Sequence, residues 1–281
     1  MTIAIASTRT AELTGQTDNP FVAWDNQGAG AGVTYGGAGT LAGGPASNAF
    51  QGMTTEYWLP NVTATTAGLW VVFPTARTIN FVAMAAHNLA TLGGTVQVQR
   101  STNGGANWSD AGAGTITPTD NGVVAFRMRS SGQDATHWRL WFTGLTAGAP
   151  LYLAYAFFGN ELTMPTRFYD GFSPIITPTE VQLQSNVTVG GNFVAQSVVA
   201  QGSTVKADFQ HLSPSFVRGA WAPFQVAFNR GAPFFFAWRP ATFASDVHLC
   251  WRDGETIRPV NAGGLDFMSL SISARVYEPS A

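Results

Sequence analysis

MSLSISARVY, residues 268–277, alternates at every step: Met268, Leu270, Ile272, Ala274 and Val276 fall on one side of an extended chain, with serines on the other. A period of two belongs to a β-strand with one face buried in a sheet. The same period returns along the chain. TVQVQRS (95–101) sets Val96 and Val98 against polar residues, and HWRLWF (137–142) sets Trp138, Leu140 and Phe142 against His137, Arg139 and Trp141. VVAFRMR (123–129) places Val124, Phe126 and Met128 on one face and Arg127 and Arg129 on the other, and VQLQSNV (181–187) alternates Val181 and Leu183 with glutamines. Short alternating runs separated by Gly, Asn, Asp and Pro predict antiparallel sheets with one buried face, so the fold class is all-β, in sandwiches or jelly rolls.

The chain has 281 residues, enough for two domains, and 45% of them are apolar, enough to build a sizeable core. Charged residues make up only 11%, the net charge is −2, and Lys206 is the sole lysine. A basic surface is what nucleic acid requires, so no nucleic-acid partner is expected. A surface this poor in charge suits burial against partner subunits, because obligate interfaces resemble a core cut in two. The single cysteine, Cys250, excludes an intrachain disulfide. It alternates with His248 in DVHLCWR, and with no second Cys nearby it reads as a small core side chain and not a zinc ligand. No cofactor or metal is expected. No apolar run reaches the ~18 residues of a membrane span, and MTIAIASTRTAEL lacks the basic region and apolar core of a signal peptide, so synthesis and assembly in a cytoplasm are expected.

Residues 27–47, rich in glycine, lack the G-K-[ST] of a phosphate loop and read as a surface loop between strands. Ser213 followed by Pro214 predicts a helix start, and Pro223 breaks that helix and opens a second one carrying Phe224 and Phe228. PFFFAWRP (233–240) reads as a strand buried on both faces. The prolines of 159–180 mark a connector whose Phe168, Tyr169 and Phe172 call for burial. A boundary there gives domains 1–160 and 161–281.

In AFQGMTTEYWLP (49–60) a turn at Thr54–Glu56 delivers Tyr57 and Trp58 to one end of a sandwich, where Trp58 plugs the apolar seam. This stretch, followed by LWVVF, TVQVQRSTNGGANW and HWRLWF, resembles the galactose-binding-like jelly roll of the discoidin type. Ala49, Phe50, Gly52, Thr55 and Trp58 fill that family's first motif, and Leu69, Val71 and Phe73 the second. Ile79, Val82 and Ala83 fit the third; Val96, Val98, Ser101, Gly104 and Trp108 fill the fourth, and Arg139, Leu140 and Phe142 the last. The resemblance spans roughly 20–160. The family's Asp in the first turn is Gln51 here, which weakens a calcium site, and the family's frequent disulfide is absent. Aromatic side chains at loop ends stack on sugar rings, which makes Tyr57, Trp58, His87, Asn88, Trp108 and Arg139 the candidate glycan contacts.

The second half resembles bacteriophage tail proteins of the distal-tail or tail-tip type, through the aromatic helix pair with Phe216, Trp221, Phe224 and Phe228, the FFFAW strand with Phe235 and Trp238, and the closing DFMSLSISARVY. That resemblance implies a structural virion component: a homo-oligomeric ring, by family a hexamer, below the tail tube and in contact with tube and hub proteins. Those six aromatic residues are then core and ring interface. No enzymatic activity is expected. The acids mostly sit in turns such as SDAG, TDNG and RDGE, where Asp serves local hydrogen bonds. No G-x-S-x-G elbow accompanies His87, His137 or His211. The alternative is a carbohydrate-binding protein for attachment to host-surface glycans.

Overall fold

The computed structural model describes residues 1–37, 44–62, 65–129, 133–168, 171–175, 180–262 and 266–279. Tyr169 and Asp170, and residues 38–43 of the glycine-rich stretch, lie outside them. The chain is all-β with three short α-helices among the described residues. It divides into two compact units, Met1–Arg167 with Ala232–Leu249, and Phe168–Gly231 with Cys250–Ala281.

In chain order the first unit contributes β1 (Thr2–Ile5), α1 (Ser7–Glu12), β2 (Phe21–Ala23), β3 (Thr34–Gly37), β4 (Ala67–Thr78), β5 (Phe81–His87), β6 (Thr95–Ser101), β7 (Ser109–Ile116), β8 (Val124–Arg127), β9 (Asp134–Thr143), β10 (Leu153–Gly159) and β11 (Leu162–Thr163). The second unit follows with β12 (Glu180–Val187), β13 (Phe193–Leu212), α2 (Pro214–Arg218) and α3 (Ala222–Asn229). The chain then adds β14 (Phe234–Ala237) to the first unit, β15 (Val247–Arg252) at the division, and β16 (Val260–Asn261) and β17 (Met268–Val276) to the second.

A five-stranded sheet, β3-β4-β9-β6-β7, and a four-stranded sheet, β1-β8-β5-β10, form the sandwich of the first unit. Leu69, Val71, Val98, Trp138, Leu140 and Phe142 of the former share one core with Val82, Met84, Phe126 and Phe158 of the latter. Each such side chain contributes about 1.5–3 kcal/mol when fully buried. The alternation read in β6 and β9 is therefore the inner face of this sandwich.

The four-stranded sheet departs from the expectation of one buried face: every residue of β5, β8 and β10 is buried. Its second face packs against strands that sequence order does not suggest. β14 pairs antiparallel with β2 (Phe236↔Val22), and Phe235 meets Phe81, Tyr155 and Phe157 at ring separations of 5.8, 5.7 and 5.5 Å. PFFFAWRP is thus a strand buried on both faces, as expected, but it completes the first unit. Along the sequence the chain returns to the first unit at Ala232–Leu249, a segment that the expected division at residue 160 places in the second half, and its Phe235 covers the aromatic outer face of β5 and β10.

Arg127, expected on an exposed face, is fully buried. It donates to Glu161 through Nε (2.6 Å) and Nη2 (2.8 Å), Arg9 reaches the same carboxylate at 2.6 Å, and the Arg127 guanidinium lies 4.7 Å from the Phe21 ring. Burial works to raise the Glu161 pKa; the two guanidiniums outweigh it and hold the carboxyl below its ordinary range.

Part of the glycine-rich stretch is strand and not loop: β3 pairs with β4, Gly36 opposite Trp70. A Cβ on Gly36 would lie 1.9 Å from the Trp70 indole nitrogen, and one on Gly37 would lie 2.5 Å from that of Trp58. Glycine is the residue that lets two indoles rest on the strand.

In the second unit β17 pairs with β13 (Ile272↔Ala207), burying Leu270, Ile272, Ala274 and Val276 as their alternation requires. The Ser213 hydroxyl accepts from the Phe216 N–H at the start of α2, and Pro223 stands in the first turn of α3, as expected. Phe168 stacks on Phe172 at 4.3 Å and lies 4.7 Å from Phe209. Cys250 is wholly buried, which pushes its thiol pKa up. β12 is a strand, but Val181 and Leu183 are exposed where a buried face was expected.

Candidate functional site: the outer face of the five-stranded sheet

The inner phase of β4, β6 and β9 is apolar, so the outer phase is fixed by the pleat. Register aligns Trp70 (β4) with Arg139 (β9) and Arg139 with Gln99 (β6); Trp141 lies opposite Gln97 on one side and Gly68 on the other. Three strands thus bring two tryptophans, an arginine and two glutamines onto one surface, all half-buried.

The hairpin between β6 and β7 adds a third tryptophan. Ser101 Oγ accepts from the N–H groups of Asn103 and Gly105, and Asn103 Oδ1 accepts from that of Asn107. Gly104 and Gly105 carry the positive φ values of the turn, 72° and 86°. The hairpin presents Trp108 to the sheet, 4.2 Å from the Arg139 guanidinium, while Trp141 lies 4.1 Å from that same group. Cation–π contacts with partly desolvated rings contribute about 0.5–2 kcal/mol each. Arg139 Nε and Nη2 donate to Gln99 Oε1 (2.8 and 2.5 Å), and Gln99 Nε2 donates to Gln97 Oε1 (2.8 Å).

Arg139 is therefore locked between rings and amide. Partial burial pulls its pKa down to about 10, which leaves it charged at neutral pH. Among the described residues its Nη1 donor has no hydrogen-bond partner and it pairs with no carboxylate. The floor is open. A Cβ on Gly68 would sit 3.0 Å from the Trp141 ring and 3.8 Å from that of Trp70, so the glycine leaves both indoles close to the backbone. Flat apolar rings beside unspent donors suit a ligand with an apolar face and hydroxyl rims.

Of the six candidate glycan contacts, the structure brings Trp108 and Arg139 together here and leaves the others elsewhere. Trp58 is fully buried against Phe142 (6.0 Å), so it is the plug the sequence suggested and cannot touch a ligand. His87 is buried, its Nδ1 accepting from the Leu89 N–H, and burial lowers its pKa to about 4. Asn88 spends its side chain on Pro150 O and Tyr152 N, clamping a loop. Tyr57 is exposed and stacks edge-on with Tyr152 at 4.8 Å. Trp108 packs on the sheet's outer face, against Arg139. Trp70, Trp141, Gln97 and Gln99 escaped the sequence reading. Their signal was a tryptophan on the solvent phase of an alternating strand, twice.

Of the six core or ring-interface candidates, Trp221, Phe224 and Phe228 are buried in the second unit, and Phe235 is buried in the first. Phe216 is half-buried, 6.4 Å from Trp221. Trp238 is half-buried in the first unit, where it donates to Asp246 and stacks on Phe243 at 5.2 Å. Being buried, the first four serve as core. Among the described residues no group of His, Cys, Asp or Glu side chains could hold a metal ion, and no helix is long and apolar enough to cross a membrane.

No protein-family model and no curated protein matches the chain. Similar solved structures include chitosan-binding module 1 from a chitosanase/glucanase of Paenibacillus sp. IK-5, at 21% identity over 45% of this chain and 94% of that one, TM-score 0.38. The family 32 CBM of NanJ from C. perfringens, in complex with galactose, is 18% identical over 50% of this chain and 99% of its own, TM-score 0.37. A Ruminococcus gnavus GH29 fucosidase is 10% identical over 49% of this chain and 27% of its own, TM-score 0.41. Likenesses of this size assign no ligand to the chain.

Proposed function

We propose that the chain is a non-catalytic saccharide-binding protein whose site is the outer face of the five-stranded sheet. The observation that carries this is Arg139 held between Trp108 and Trp141 beside Trp70 and Gln97, with unspent donors next to flat rings. Sugar rings stack on the indoles, and Arg139 Nη1 and the Gln97 amide hydrogen-bond the hydroxyls. The test is binding of the full chain to immobilised neutral and uronate-containing polysaccharides. Retention that drops about tenfold in Arg139→Ala or Trp141→Ala, at unchanged melting temperature, supports the reading. Retention of nothing, or retention indifferent to both variants, refutes it.

A second reading is favoured by a different observation. A long uncharged hairpin in the second unit leaves large apolar side chains in water, as a subunit awaiting assembly does. Together with the low charge, this supports a structural component of a bacteriophage tail tip, a distal tail protein in a homo-oligomeric ring, with the sandwich displayed to host glycans. Multivalency in such a ring would strengthen weak single-site binding. Electron microscopy of virions labelled with antibody against this chain tests it: label confined to the tail tip supports the assignment, and unlabelled particles overturn it.

A further inference from the structure

β12 and the first half of β13 form a two-stranded arm. β12 pairs with Phe193–Gly202 of β13, whereas β17 pairs with β13 only from Ser203 onward. Among the described residues, the distal half of β13 thus has a strand on one edge only, and β12 is the outermost strand of its sheet. The arm carries two open edges of backbone N–H and C=O groups.

Natural edge strands are guarded by charge, proline or brevity. Here none of these guards is present: between Glu180 and Lys206 the chain has no charged residue and no proline. Its large apolar side chains, set among glutamines, serines and asparagines, lie in water. Val181, Leu183, Val187, Phe193, Val198 and Val199 expose 46–67% of their surface, and Leu183 opposes Val198 while Val187 opposes Phe193.

We propose that this arm is an assembly device whose occupant is the same arm of a second copy, joined edge to edge by main-chain hydrogen bonds and sealed by the valines, Leu183 and Phe193. Three features select a copy over a foreign partner. An uncharged arm does not repel itself, and it offers no charge pattern for a complementary partner to read. Each arm also supplies both an edge and apolar cover, which is what its twin requires. The inference rests on neither the saccharide reading nor a place in a virion.

The test is the mass of the full chain in solution, by sedimentation equilibrium over a wide concentration range, beside the double variant Leu183→Lys/Val198→Lys. Circular dichroism first establishes that the variant keeps the wild-type melting temperature, which the exposure of both positions makes the expected result. The wild type associates beyond its 29.8 kDa monomer mass, and the two lysines weaken that association by about two orders of magnitude. Hydrogen exchange at 181–199 slows as concentration rises in the wild type only. A wild type that stays at the monomer mass at every concentration overturns the proposal. So does a variant that associates as tightly as the wild type, since the contact then lies elsewhere. If the double variant unfolds, Ser185→Lys alone, at a small exposed polar position of β12, replaces it with the same two outcomes.

Discussion

Glu161→Gln changes one atom and breaks the most deeply buried charge network of the first unit. Glu161 and Arg127 side chains have no exposure, and that of Arg9 is 8% exposed. The carboxylate accepts from Arg127 Nε and Nη2 and from Arg9 Nη2, at 2.6, 2.8 and 2.6 Å. A glutamine oxygen can satisfy one guanidinium; its NH₂ then points a donor at donors. Both arginines keep their charge; the partly exposed Glu12 carboxylate, 3.2 Å from Arg9 Nη1, still faces Arg9, but the fully buried Arg127 loses its carboxylate partner. Removing one partner of a buried pair costs about 3–5 kcal/mol, against a total stability of about 5–15 kcal/mol for an ordinary domain. For a unit of this size, about 2–4 °C per kcal/mol translates this into a melting temperature lower by roughly 6–20 °C. Differential scanning calorimetry and urea titration measure it. The carboxyl pKa is depressed in the fold, so its stabilisation is present above the unfolded-state pKa and disappears as pH falls through the folded value. The variant therefore loses most relative to wild type near neutrality and converges on it in acid. A loss below about 1 kcal/mol at pH 7, or a difference that grows on acidification, refutes the reasoning.

Trp58→Ala removes a fully buried indole from the sandwich core and costs about 3–5 kcal/mol in urea titration, while Tyr57→Ala, at an exposed ring, stays within about 0.5 kcal/mol. Gly36→Ala drives a methyl into the Trp70 indole; it costs about 1–3 kcal/mol and weakens saccharide binding by displacing that ring, which isothermal titration calorimetry reads. His87 and His248 are buried, with pKa values lowered to about 4 chiefly by desolvation. They stay neutral in the fold while the unfolded chain protonates, so urea stability declines as pH falls from about 6.5 toward 4, and a flat profile there contradicts their burial.

The sandwich was legible because its inner faces follow strict alternation: Val96/Val98 and Trp138/Leu140/Phe142 read as they pack. The helix pair was legible because Ser213, Pro214 and Pro223 act locally. What escaped depends on contacts distant in sequence. Nothing near FFFA shows that Phe235 will pack on Phe81 and Tyr155, so the return of 232–249 to the first unit was hidden. Arg127 looked like a solvent residue because its partner carboxylate lies 34 positions away. The hairpin arm carries the same alternation as a buried strand, and alternation cannot say whether a second layer arrives. Two of the six site residues were visible, Trp108 and Arg139. Aromatic residues were sought at loop ends, which drew in Trp58 and His87, while Trp70 and Trp141, on the outward phase of strands, passed as pattern noise.

The central claim, that the outer face of the five-stranded sheet takes a saccharide, is tested most directly by following the indole N–H signals of the nine tryptophans in ¹⁵N spectra during titration with soluble oligosaccharides, neutral and acidic. Saturable shifts concentrated on Trp70, Trp108 and Trp141, with the buried Trp58, Trp138 and Trp221 unmoved, are the predicted result. Shifts absent across the panel, or gathered around Tyr57 and Tyr152 at the end of the sandwich, would contradict it.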